Sequence, residues 1–317
     1  LTAIRVSGLR GKGLPRVFFA PFMLTVALLQ ALGVLLRLRP LVVLGMGGFA
    51  AGPGGLAAWL LRRPLLIHEQ NSVPGLTNRL LAPLARVVLE GFPGSLPAAR
   101  HAVAAGNPVR ADIATLAPPE MRFAARSGTL RLLVIGGSLG AQALNQVVPQ
   151  AIARLPAAQR PQVHHQTGQA QVVDVQQSYR DLRCEARVEA FIEDMAAAYA
   201  WADLVVCRSG ALTVAELAAA GVAAILVPYP HATDDHQTGN ARYLADAGAA
   251  LLVPQDSLSA AWLAATLSRF TGQRETLLAM AHKARELARP DAARRVALSC
   301  LQAAGITPSV PSEGMPQ

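Results

Sequence analysis

Acid is what the first part of this sequence has least of. Residues 1 to 110 carry 2 acidic side chains, Glu69 and Glu90, against 12 Lys and Arg, whereas residues 111 to 317 carry 18 against 17. The net charge of +9 is therefore confined to the first part, which stands at +10 while the remainder stands at −1. Such a split predicts that the first part faces something anionic, either phospholipid or nucleic acid. Aromatic residues make up 5% of the chain. Few of them are interleaved with the basic residues, so the stacking surface that nucleic acid needs is missing and phospholipid is the better reading. Cysteine is scarce as well: Cys184, Cys207 and Cys300 are an odd number with no C-x-x-C pair. That excludes a disulfide framework and a zinc site and fits a reducing cytoplasm. The opening LTAIRVSGLRGKG has neither Met nor the pattern of a secretory signal and reads like the middle of a strand, so the chain is expected to be a fragment of a longer protein.

What is present in excess is apolar. Hydrophobic residues make up 52% and the mean hydropathy is +0.32, rich for a freely soluble protein. Residues 17–36, VFFAPFMLTVALLQALGVLL, run twenty positions without a charge. By length alone they qualify as a transmembrane helix. They also sit where a strand-helix-strand rhythm requires a crossover helix and carry Pro21, Thr25 and Gln30, and a helix apolar on nearly all sides is usually buried core. The charge split favours a third reading. In it a crossover helix dips its outer face into the bilayer, with Arg10, Lys12, Arg16, Arg37 and Arg39 at the lipid headgroups.

The second half alternates β-branched runs with alanine-rich stretches, the pattern of a parallel sheet covered by helices on both faces. Strands are expected near 130–135, 162–166, 186–191, 203–207, 223–228 and 249–253. The first part has the same rhythm: IRVSG, LVVLGM, LLIHEQ and RVVLEG, then HAVAAGNPVR. The fold class is thus α/β, with two doubly wound Rossmann-like domains facing a cleft and joined near Asn107-Pro108. The expected domains are 1–110, 111–289, and a terminal helix with a disordered tail at 290–317.

Two stretches carry anion-binding chemistry. LLVIGGSLGAQALN, 132–145, is a strand, a glycine turn and a helix start. Gly136 and Gly137 would let a phosphate approach free backbone N–H groups, and Ser138 would add a hydroxyl donor. A tight strand-to-helix turn reads the same way. The stretch is not G-x-G-x-x-G, and the following strand VHHQTG ends without the acid that would hold a nicotinamide ribose, so a dehydrogenase is disfavoured. In VVCRSGALTVAEL, 205–217, Ser209 is expected to cap a helix whose first amides, Ala211, Leu212 and Thr213, point out of the carboxyl edge of the sheet. Glu216 on that helix could accept from a sugar diol, although alone it also reads as an ordinary solvated acid. Two anion sites beside one carboxylate suit a nucleoside diphosphate. Asp234, Asp235 and His236 resemble a metal trio but are better read as helix caps, and no metal is expected.

GMGGF-x-x-GPGG (45–55), HEQN (68–71), GNPVR (106–110), GGSLGA (136–141), FIEDMAAAYAWADLVVCRSGALTVAELAAAG (191–221) and DDHQTGNA (234–241) together resemble the MurG family. The resemblance covers nearly the whole chain. It implies the glycosyltransferase B fold, with inverting transfer of N-acetylglucosamine from UDP-GlcNAc to the MurNAc 4-hydroxyl of undecaprenyl-pyrophosphoryl-MurNAc-pentapeptide. It also implies peripheral attachment to the anionic cytoplasmic face of the bacterial inner membrane, no cofactor and no nucleic acid.

Carried onto matching positions, the resemblance implies that Ser138 and the Ala211, Leu212 and Thr213 amides hold the diphosphate and that Glu216 holds the ribose. Ile192 would hold the uracil through its backbone and Gln237 the sugar hydroxyls, with Asn71 and Arg110 on the donor side. Gly136, Gly137 and Arg208 would touch the diphosphate, and a purely structural partner is an equal reading of Arg208. His68 and Glu69 become acceptor-site residues with a catalytic role. The family often has Gln where this chain has His236. Its G-G-T-G-G-H loop, whose His is a candidate base, has no counterpart in these 317 residues, so the first domain is expected to be incomplete and unstable. A UDP-GlcNAc 2-epimerase of the same fold and a UDP-sugar-binding protein without turnover are the alternatives.

Overall fold

The structure, a computed structural model, describes residues 14–97, 100–124, 126–137 and 140–307, with side chains from residue 21 onward. The expected first strand at IRVSG, Arg10, Lys12, the Arg16 side chain, Ser138 and most of the expected disordered tail lie outside the described residues. Two compact units emerge. One runs up to Gly106 and takes up the chain again at Asp291, and the other is Asn107–Pro290.

The first unit opens with α1 (Leu14–Leu38). It continues through β1 (Val43–Gly45), α2 (Gly48–Leu60), β2 (Leu65–Glu69), α3 (Leu76–Leu81), β3 (Val87–Glu90) and β4 (Val103–Ala104). Among the described residues these strands form one parallel sheet in the order β1-β2-β3-β4. Strand β2 is buried at all five positions, as a parallel strand covered on both faces must be. Leu65 and Ile67 pack with Leu81, Val88 and Leu96 on one face.

The second unit holds α4 (Ala111–Ala114), α5 (Pro119–Ala124), β5 (Arg131–Ile135), α6 (Gln142–Arg154), β6 (Gln162–Gln166), α7 (Val172–Asp181) and β7 (Arg187–Glu189). There follow α8 (Met195–Trp201), β8 (Leu204–Cys207), α9 (Ala211–Ala220), β9 (Ala223–Leu226), α10 (His236–Ala245), β10 (Ala250–Leu252), α11 (Ala260–Thr271) and α12 (Arg274–Glu286). Each of the six expected runs is a strand. All pairings are parallel, in the order β10-β9-β8-β5-β6-β7. The winding reverses between β5 and β8, which is where a doubly wound sheet opens a crevice at its carboxyl edge.

The chain then returns to the first unit. Helix α13 (Ala292–Ala303) places Val296 and Ala303 against Leu66 and Leu89, closing the second face of that sheet. Arg86 Nη1 also donates to the Ala303 carbonyl at 3.3 Å. The sequence had set residues 290–317 apart as a terminal piece. The apolar stripe of this helix has its partners more than 200 residues upstream, which no local pattern reveals.

Helix α1 corrects the buried-core reading of residues 17–36. Of Pro21–Leu38 only Ala27 and Ala31 are buried. Phe22, Leu24, Leu29, Leu36 and Leu38 are exposed, and the helix is long and apolar enough to cross a membrane by length and composition.

Candidate functional site

A cavity of about 1010 Å³ lies at the reversal point of the second sheet, lined among others by Gly136, Gly137, Arg208, Gly210, Thr213 and Gln237. The loop after β5 forms one wall, and two of its glycines are required by close contacts. A Cβ on Gly140 would stand 2.2 Å from the Thr167 carbonyl oxygen, and one on Gly136 would stand 2.8 Å from the Ala141 nitrogen. The Gly136 amide donates to the Gln166 carbonyl at 3.1 Å. That amide is therefore committed to the fold, and the clearance around position 136 admits only glycine.

Two helices start at this cavity. No side chain among the described residues caps α6, which begins behind Ala141, or α9, which begins behind Gly210. The expected cap Ser209 is instead fully buried, and its hydroxyl donates to the Gln237 carbonyl at 2.8 Å. The chain needs one more residue than the sequence suggested to turn into the helix. The first intrahelical bond of α9 is Val214 N–H to Gly210 C=O at 3.0 Å, so the amides of Ala211, Leu212 and Thr213 precede the helical ladder and have no partner within it. At its other end α9 is clamped by cations. Arg122 donates to the carbonyls of Ala220 at 2.7 Å and Gly221 at 2.5 Å, and Arg285 donates to Ala219. Positive charge at the carboxyl end and open amides at the amino end are the arrangement in which a helix dipole favours an anion at its start.

Arg208 makes structural hydrogen bonds and also lines the cavity. Its Nη1 donates to the carbonyls of Val227 and Pro228 at 3.1 Å each, its Nη2 to Gln255 Oε1 at 2.6 Å, and it lines the cavity. Burial lowers its pKa while Tyr229 opposes the shift. Gln237 accepts the Tyr229 amide on Oε1 at 2.9 Å and lines the cavity. His236 bonds the Thr233 carbonyl through Nδ1 at 2.6 Å. Asp234 and Asp235 take left-handed backbone, and Asp235 accepts the Thr238 hydroxyl rather than capping a backbone amide as expected.

Glu216 is not the solvated acid of the alternative reading. It is half-buried, and burial raises its pKa against the opposing pull of a hydrogen bond from Tyr199 and the charge of Arg110. The Tyr199 hydroxyl stands 3.0 Å from Glu216 Oε2. Arg110 pairs with Asp112 at 3.4 Å, both half-exposed. Ile192 is buried just ahead of α8.

His68, Glu69 and Asn71 belong to the first unit, and the first two are deeply committed to its fold. Glu69, 2% exposed, accepts Asn71 N and Nδ2 on Oε1 and Gly75 N and Asn78 Nδ2 on Oε2. His68, 0% exposed, bonds the Gly106 carbonyl through Nε2 at 2.9 Å, and burial lowers its pKa. Facing a carbonyl, Nε2 must carry a proton, and in the neutral ring that burial favours, Nδ1 can accept from Gln70 Nε2 at 3.3 Å. Their polar atoms hold residues 69–78 and 106 in place. Glu90 does the same for Gly94, Ser95 and Leu96. Both acids of residues 1–110 are thus buried, while Arg37, Arg39, Arg62, Arg79, Arg86 and Arg100 are exposed.

Sequence reasoning missed Tyr199, Tyr229, His231 and Gln255. Tyr199 is the single phenol in an alanine-rich stretch, and nothing in its spacing points to an acid 17 residues on.

The chain matches the glycosyltransferase family 28 N-terminal domain over residues 1–90 and the C-terminal domain of the same family over residues 131–296. A Nitrosococcus oceani protein described as UDP-N-acetylglucosamine–N-acetylmuramyl-(pentapeptide) pyrophosphoryl-undecaprenol N-acetylglucosamine transferase is 58% identical over 95% of this chain and 84% of its own. A Marinobacter nauticus protein of the same description is 55% identical over 96% and 84%. The crystal structure of Acinetobacter baumannii MurG superimposes with a TM-score of 0.81 at 40% identity, over 95% of this chain and 84% of that one. A UDP-GlcNAc 2-epimerase from Neisseria meningitidis, at 12% identity and a TM-score of 0.61 over 88% of this chain and 81% of its own, shares the fold alone. With both family domains matched in order and relatives above half identity along almost its full length, the chain belongs to glycosyltransferase family 28, in its MurG branch.

Proposed function

We propose that the chain transfers N-acetylglucosamine from UDP-GlcNAc to the MurNAc 4-hydroxyl of undecaprenyl-pyrophosphoryl-MurNAc-pentapeptide, with inversion at the anomeric carbon. The observation that carries this reading is the reversal-point cavity, where the uncapped starts of α6 and α9 meet the braced guanidinium of Arg208. Donors fixed in advance suit a diphosphate that gains charge as it leaves, because they need no reorganisation during reaction. The hydroxyl oxygen attacks the anomeric carbon, the bond from that carbon to the diphosphate oxygen breaks, and the hydroxyl proton passes to a base. Helix amides and Arg208 take the developing negative charge, and no metal or cofactor enters this reading.

Thr213, Leu212 and Ala211 hold the diphosphate, Glu216 the ribose, Ile192 the uracil and Gln237 the sugar, with Asn71 and Arg110 completing the donor side. Gly136 and Gly137 give the diphosphate room. His68 and Glu69 shape the acceptor side by fixing the loop that follows β2. The reaction takes place at the anionic cytoplasmic face of the inner membrane. The support is that α1 exposes Phe22, Leu29 and Leu36 while residues 1–110 expose arginines and bury both acids. Such a face combines apolar insertion with attraction to anionic headgroups.

Calorimetry of UDP-GlcNAc, UDP-glucose and NAD against wild type and Glu216→Ala tests the donor reading. Selective UDP-GlcNAc binding that the substitution weakens is expected, and absence of any UDP-sugar binding by the folded chain would overturn it. Turnover with a lipid-linked acceptor then separates a transferase from a UDP-sugar-binding protein.

A further inference from the structure

We infer that Tyr199 is a positioning residue for nucleoside recognition: by donating its hydroxyl to Oε2 of Glu216 it fixes the carboxylate so that Oε1 is presented to the ribose diol of a nucleoside diphosphate. This inference rests on the reading that α9 holds the nucleotide.

Three observations carry it. Tyr199 is 1% exposed and packed in the interior of the second unit, where Phe would fill nearly the same space. Its hydroxyl is 3.0 Å from Glu216 Oε2, a bond between two helices with no counterpart in either helix alone. The main chain makes a second tie between the same helices, because Arg122 donates through Nη1 to the Tyr199 carbonyl at 3.2 Å and through Nη2 to the carbonyls of Ala220 and Gly221. Helix α8 is fixed at its start as well, where Asp194 Oδ1 accepts the Ala197 amide at 2.8 Å. Helix α8 and the short segment before it thus link Ile192, beside the base in this reading, to a phenol that orients the carboxylate beside the sugar.

The electrostatics agree with the geometry. Burial disfavours the charged carboxylate of Glu216, and the groups acting on it are the Tyr199 hydroxyl and Arg110, which favour charge, and Asp112, which opposes it. Tyr199 itself is held protonated by burial and by the negative charge of Glu216, so it remains a donor. A carboxylate with one oxygen occupied and the other open has a single preferred orientation, which lowers the entropy cost of gripping a diol.

The test measures UDP and 2′,3′-dideoxy-UDP binding by calorimetry to the full chain as wild type, Tyr199→Phe and Glu216→Ala. Wild type should prefer UDP, and Tyr199→Phe should weaken UDP by about tenfold, the scale of one hydrogen bond to a charged group. It should leave dideoxy-UDP unchanged, and the pH below which UDP affinity falls should move upward. Equal losses for both ligands would mean that the phenol only packs, and would overturn the inference. If Glu216→Ala also affected both ligands equally, the ribose reading itself would fail, a separate and recognisable outcome. Should Tyr199→Phe not fold, wild type with ring-labelled tyrosine gives the same answer. The Tyr199 carbon resonance, assigned by elimination among Tyr179, Tyr229 and Tyr243, should shift with UDP and not with dideoxy-UDP. A resonance indifferent to both would overturn the inference.

Discussion

Arg208 Nη2 lies 2.6 Å from Gln255 Oε1, which ties the residue following β8 to the segment following β10. Together with the two carbonyl bonds from Nη1, this fixes the guanidinium plane at the cavity wall before any ligand arrives. Lys cannot reproduce the fork, since its ammonium is a point charge on a flexible stem. Arg208→Lys is expected to lower kcat/KM by about 10²-fold, within the range for a lost transition-state donor. Gln255→Ala should cost less, because the carbonyl bonds remain. Steady-state kinetics with UDP-GlcNAc checks both, and an unimpaired Arg208→Lys variant would show that the guanidinium plane is unused.

Gly140 and Gly137 share positive φ, +77 and +78, but differ in what surrounds them. Beside Gly140 the Thr167 carbonyl leaves no room for a Cβ, whereas Gly137 has no atom within 4 Å of that position. Gly137→Ala should cost only the backbone strain, about 1 kcal/mol. Gly140→Ala must also push the β6 loop away and is expected to cost about 2 to 4 kcal/mol. Denaturant unfolding followed by the fluorescence of Trp201 and Trp262 separates the two; equal losses would contradict the assignment of the clash.

What the sequence makes legible here follows from the range of each interaction. The strands at 131–135 and 204–207, RLLVI and LVVC, are apolar runs of five and four residues that can be read from consecutive positions. The glycine turn after β5 follows from the same local window, while the start of α9 falls one residue beyond where that window puts it. Ser209 fails as a cap because its hydroxyl goes to the Gln237 carbonyl, 28 residues away. The Gly136 amide is spent on Gln166 across a strand pair, and Glu216 acquires its partner from another helix. His68 and Glu69 look like exposed strand-end chemistry in a sequence window, yet their hydrogen bonds turn inward on the loop that follows. Residue types announce a site, while the allocation of individual polar atoms depends on tertiary contacts that spacing does not encode.

Stability of the second unit should fall in acid, and His165 gives the reason. Its Nε2 faces Asn145 Oδ1 at 3.0 Å and its Nδ1 the Tyr179 hydroxyl at 3.1 Å, while Asn145 Nδ2 donates to the Thr167 carbonyl. The neutral ring satisfies this network, and burial lowers its pKa to about 3. The unfolded chain takes up the proton near pH 6.5 and the folded one does not, so stability is lost as pH falls from about 6.5 toward 3. The slope approaches about 1.4 kcal/mol per pH unit for this residue. His164, also lowered by burial, adds to it. His165→Gln should be less stable at pH 8 and show a shallower acid slope. Denaturant titrations from pH 5 to 8 give the comparison, and parallel curves for variant and wild type would remove His165 as the source.

Glu69 makes a separable prediction about the acceptor side. Its two oxygens each accept two donors, from Asn71 on one side and from Gly75 and Asn78 on the other. In Glu69→Gln one oxygen becomes an NH2 group, which must then face two donors whichever way the amide turns. Of these donors Asn78 is buried and Asn71 and Gly75 are partly open to water, so the first unit should be destabilised by about 1 to 3 kcal/mol. The loop of residues 70–78 would loosen while the second unit, which carries the diphosphate cavity, stays intact. UDP-GlcNAc affinity by calorimetry should therefore fall only slightly, through Asn71 alone, while KM for the lipid-linked acceptor rises more. A variant that lost donor affinity to the same extent would show that residues 70–78 act on the nucleotide sugar rather than on its acceptor.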